Sequence, residues 1–293
     1  MATMKEQSQG LKPDEMMSKV SALGRPLDPR YPSNRLAGIF ALAMIILFAL
    51  IALADGSSFG ESIGRGFSAG LVAFFPTALG REIDPDYNMT ANVAMVLAMG
   101  AFLIWDTGSL LALATLMFAL RVLNRSTGLA PLWTDGILIA LLAGVSAYNG
   151  NWVVGMMVVI AYRISTRLPQ SQPKELLFGV ITAIATFAGF IGGLPVEHTR
   201  ELDPIWLLVA GIVSVLYVFV TLATPKTFTS RGDYADVPLI RARIVGTRLL
   251  TIGAGIVWLA WAGESGGTAL ATVYAIMIGG IVTHGWQLVT KSQ

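Results

Sequence analysis

LAGIFALAMIILFALIALA, Leu36–Ala54, runs without a charge or a proline. A helix that crosses the hydrocarbon of a bilayer takes about 20 predominantly apolar residues, so this stretch sets the class of the chain. Seven further apolar runs follow it, at 107–123, 131–148, 152–168, 175–194, 204–224, 244–262 and 267–288. Across all 293 residues 54% are hydrophobic and 13% charged, with a mean hydropathy of +0.66. Soluble domains carry about 25% charge. A water-soluble globular chain is excluded, and so are a disordered chain and a disulfide-stapled scaffold, since cysteine is absent. The expected fold is an all-α integral membrane protein, a polytopic bundle of eight or ten transmembrane helices.

The choice between eight and ten rests on two interrupted segments, 62–80 and 90–105. The first contains Arg65, Gly66, Gly70 and Pro76, and the second runs into the turn-prone Asp106-Thr107-Gly108-Ser109. They predict either a hairpin of two more spans or a re-entrant or interfacial insertion at 55–106, of the kind tolerated where protein shelters free backbone. Either choice leaves both termini on one side. The domain reading is a polar tail at 1–35, a transmembrane domain at 36–288 and a short end at 289–293. The tail mixes Lys, Glu, Ser and Gln and predicts a solvated lead-in.

Lysine and arginine supply the orientation. With the N-terminus in the cytoplasm, 16 of the 20 basic residues fall on the inner side, leaving Arg65, Arg81, Arg200 and Arg248. By the positive-inside rule both termini are cytoplasmic, in a multi-pass protein of the cell (inner) membrane. The first 35 residues lack the apolar core of a cleavable signal peptide, so the first span is expected to serve as the insertion signal. The hairpins at 136–165 and 249–278 share an apolar helix, a polar glycine turn and a second apolar helix. They suggest a parallel duplication of two four-helix halves, 36–168 and 175–288.

Polar groups that apolar neighbours cannot solvate are the candidates for function. Arg121, Asn124 and Arg125 stand at i, i+3 and i+4, one face of a helix end, and Asp135 follows across a short turn within reach of either arginine. Such a set suits an anionic lipid headgroup, because guanidinium groups bind phosphate oxygens bidentately. The same residues also fit a bland role, with the arginines snorkelling to the interface and Asp135 capping the next helix. Asp106 becomes a cation or proton site if the chain runs through it as one helix. Second-tier candidates are Asp233 and Asp236 in the longest inner loop, Arg248 early in a span, where it can either reach back to Asp236 or snorkel, and His284 near the end of the last span. His198 with Glu197 and Glu201 is too poor a donor set for zinc without cysteine.

No phosphate loop, dinucleotide fingerprint, zincin or nucleophile-elbow motif occurs, and nothing resembles a basic aromatic surface for nucleic acid. No cofactor is expected. The reading that follows is a carrier-like protein handling a lipid or small solute within the bilayer. Its alternatives are a structural or assembly subunit among other membrane subunits, and a membrane-embedded transferase acting on a lipid phosphate. The carrier predicts an enclosed polar cavity, the subunit a broad small-residue face, and the transferase a convergence of Arg121 with Asp233 and Asp236.

Overall fold

The structure, a computed structural model, describes residues 13–25, 32–105, 109–193 and 203–291. Among these it is all helical. In chain order the helices are α1 (Pro13–Val20), α2 (Pro32–Ala54), α3 (Phe59–Ile83), α4 (Asn88–Ile104), α5 (Leu110–Asn124), α6 (Trp133–Tyr148), α7 (Trp152–Ser165), α8 (Lys174–Gly192), α9 (Pro204–Leu222), α10 (Arg241–Ala262) and α11 (Gly267–Lys291), with a 3-10 turn at Gly263–Gly266. Five of them, including most of α2, α8, α9, α10 and α11, are long and apolar enough to cross a membrane. Helices α4 to α7 are apolar but shorter.

Local chemistry explains the breaks. Ser58 opens α3 with a capping box, its hydroxyl accepting from the Glu61 N–H while Glu61 accepts from the Ser58 N–H at 2.9 Å. Ser109 caps α5, and Asp203 caps α9 ahead of Pro204. Gly150, at φ 81°, lets α6 turn directly into α7.

The segment at 62–80 departs from its sequence reading. Far from being broken, α3 continues for 25 residues through Pro76. It packs against α2, α4, α5, α10 and α11. Its glycines mark close approach, not interruption: a Cβ on Gly66 would lie 2.4 Å from the Ile45 carbonyl oxygen of α2. The same device recurs where Gly279 of α11 meets the Thr90 carbonyl. In lipid, helices gain little from excluding apolar surface, and close backbone contact supplies dispersion instead. Large apolar side chains such as Leu42, Ile46, Leu208 and Phe219 face outward, whereas Thr115, Thr247, Thr251 and Thr272 are buried. These hydroxyls return to the carbonyl four residues back on their own helix.

The polar tail also departs from expectation. Ala22 and Leu23 are buried, and Ser21–Arg25 lies against the helix ends. The stretches 36–168 and 175–288 hold six and four helices, α2–α7 and α8–α11.

Candidate functional site

Helices α3, α5, α7 and α9 all finish at one end of the bundle, where the polar candidates gather. A helix C-terminus leaves carbonyls unpaired and carries partial negative charge. Here buried arginines from neighbouring helices meet that need. Arg248 of α10 donates from Nε to the Ile83 carbonyl of α3 at 2.9 Å and from Nη1 to the Val220 carbonyl of α9 at 3.1 Å. Arg243 donates to the Leu123 carbonyl of α5 at 3.0 Å and to Pro169 O. Asn124 donates to the Glu82 carbonyl of α3 at 2.8 Å.

Carboxylates then balance the cations. Arg121 Nε lies 3.1 Å from Glu82 Oε1, and Asn124 Nδ2 is 3.0 Å from Glu82 Oε2. Arg125 pairs with Glu175 of α8 and donates to the Gln170 carbonyl. Arg248 Nη2 stands 3.3 Å from Asp84, with His284 Nε2 3.5 Å from the other Asp84 oxygen. Thr90 donates to Asp84 at 2.5 Å. Arg25, from the N-terminal segment, joins Glu82 to Asp233. Burial works against the Arg25 charge, but the two carboxylates outweigh it and push its pKa up.

Several pairings differ from the sequence reading. Arg121 and Asn124 share a partner as their spacing implies. Arg125 does not join them, because it terminates α5 in the left-handed region at φ 51° and turns toward α8. Asp135 pairs with neither arginine. It accepts from the Leu132 N–H at 2.8 Å, the Ser21 hydroxyl at 2.5 Å and the Ala22 N–H at 2.9 Å. Arg248 goes to Asp84, not Asp236, which is exposed and paired with Arg231. Asp233 joins the cluster while Asp236 does not. Asp106, His198, Glu197 and Glu201 lie outside the described residues.

Sequence reasoning missed Glu82, Asp84 and Glu175. A signal for Asp84 was present: Gly80-Arg81-Glu82-Ile83-Asp84-Pro85-Asp86-Tyr87 shares Gly-Arg-x-x-Asp-Pro-x-Tyr with Gly24-Arg25-Pro26-Leu27-Asp28-Pro29-Arg30-Tyr31, and each copy directly precedes a helix, whereas Glu82 stands opposite Pro26 and had no such signal. Glu175 gave no signal beyond a single carboxylate at a helix start.

The opposite end offers a different environment. The second half of α4 and the first halves of α9 and α11, with Leu259 near the end of α10, flank an open cleft of about 410 Å³, lined almost wholly by apolar groups. Gly100 and Ala271 keep its walls thin, and Tyr274 stands in its lining. Trp105 and Trp206, also in the lining, meet edge to face with ring centroids 5.0 Å apart. Its size falls within the range of about 300–1,000 Å³ of small-molecule sites. No protein-family model matches this chain, and no curated protein or solved structure is similar to it.

Proposed function

We propose that the protein is a multi-pass membrane protein that holds a lipid chain, or an apolar molecule of similar shape, in the cleft between α4, α9 and α11. In this reading α2 to α11 all cross the bilayer, making ten spans, with the arginine-rich end in the cytoplasm. The observation that carries it is the apolar cleft edged by Trp105 and Trp206. Paired indoles favour the headgroup level of a membrane, so the cleft belongs to the leaflet opposite the charged end, open to lipid.

The headgroup and transferase readings need free guanidinium donors. Arg121 and Arg248 direct theirs to Glu82, Asp84 and backbone carbonyls, and Arg125 gives both Nη groups to Glu175 and the Gln170 carbonyl, leaving only its buried Nε without a partner, which favours a structural role for that end. The test is reconstitution into vesicles containing a lipid with a photoreactive diazirine on its acyl chain. Crosslinks concentrated on 96–105, 206–210 and 267–278 support the proposal. An even spread over all lipid-facing helices, α8 included, overturns it.

A further inference from the structure

The charged end contains a socket whose occupant is the chain itself. Glu82 closes α3, Asp135 stands in the first turn of α6, and Asp233 belongs to the α9–α10 connection. Between them lie Ser21–Arg25. The Ala22 N–H donates to Asp135, while the carbonyls of Ala22, Leu23 and Gly24 accept from Thr127 at 2.6 Å, Arg121 at 3.0 Å and Tyr234 at 2.7 Å. Leu23 is 1% exposed. Arg25 Nη1 reaches Glu82 at 3.3 Å, and Nη2 reaches Asp233 at 3.1 Å. The socket therefore grips a bent backbone, its turn closed by the Gly24 N–H donating to the Ser21 hydroxyl at 2.7 Å, together with one buried apolar side chain and one guanidinium held between two carboxylates.

Charge supports the same view. With Arg25 withdrawn, Glu82 keeps Arg121, whereas Asp233 loses the cation it is paired with. An arginine from another segment would restore that pair with charge-assisted bonds. We infer that the socket is a recognition site for a short peptide segment carrying an arginine, and that Ser21–Arg25 occupies it as a tethered competitor.

The absence of native cysteine makes a single thiol a clean reporter. In the full-length Leu23→Cys protein, maleimide labelling is expected to be slow in mild detergent and to accelerate by about tenfold or more on adding Arg25→Glu. A tethered segment acts at an effective concentration in the millimolar range, so millimolar Ser-Ala-Leu-Gly-Arg amide should produce the same acceleration, and Ser-Ala-Leu-Gly-Glu amide should not. If Arg25→Glu fails to fold, the peptide arm on Leu23→Cys decides alone, and Ala22→Cys serves as a second reporter. Labelling that ignores the arginine peptide, or that responds equally to both peptides, overturns the proposal. So does labelling of Leu23→Cys as fast as in denaturant.

Discussion

Arg248 has its guanidinium spent on Ile83, Val220, Thr224, Asp84 and His284, with 1% of its surface exposed. Removing one member of such a buried pair costs about 3–5 kcal/mol, because the other charge is left alone. Arg248→Met should therefore lower the thermal unfolding temperature of the detergent-solubilised protein sharply, and Arg248→Met with Asp84→Leu should recover most of the loss. Recovery of none would show that Arg248 acts through its carbonyl contacts only. Asp86 makes a pH-dependent contact. Burial opposes its charge, but N–H groups of Thr229 at 3.0 Å and Ser230 at 2.8 Å overcome that and hold its pKa below the usual carboxylate range. A depressed folded pKa stabilises above the unfolded value, about 3.9, and the benefit is lost as pH falls through the folded value. Hydrogen exchange at Thr229 and Ser230, corrected for intrinsic rates, should accelerate below about pH 4; no change in protection between pH 6 and pH 3 would contradict this. Arg248 and His284 were legible in the sequence because apolar neighbours cannot solvate them. Their partner Asp84 was not, since a carboxylate beside proline looks like a loop residue until helix packing brings it inward.

Helix α3 shows why elements are harder to read in lipid than in water. Gly66, Gly70 and Pro76 read as breaks, yet the glycines are contact points and the helix passes through the proline. Composition alone cannot separate a glycine that ends a helix from one that admits a neighbour. The distinction is testable. Gly66→Ala pushes a methyl into the backbone of α2, where overpacking costs about 1–3 kcal/mol, so it should lower thermal stability. Gly38→Ala, with nothing within 4 Å, should be silent or slightly stabilising. Equal effects would show that α2 and α3 are not packed as described. Helix α2 and helices α5 to α11 were plain as apolar runs, although α5 begins at Leu110 where the run suggested 107, because Ser109 caps it; α4 reads as an interrupted segment in the sequence, and α1 lies in the stretch that reads as a solvated tail.

For the whole molecule, the apolar runs and their basic flanks made the membrane class legible. The pairing of helices and the cleft were not, since both depend on which faces meet. The α3–α4 turn lies beside the α9–α10 connection, with Asp86 accepting from Thr229 and Ser230, and the proposed ten spans would put both on one side of the membrane. Single cysteines at Asn88 and Lys226 should accordingly react with an impermeant maleimide from the same side of sealed vesicles; reaction from opposite sides would refute ten spans. The functional claim rests on the cleft, and native mass spectrometry from mild detergent tests it most directly. The unaltered protein should retain a lipid adduct, and Ala271→Trp, which fills the cleft, should lose it while keeping its thermal stability. The same adduct on both proteins, or none on either, would contradict a lipid site between α4, α9 and α11.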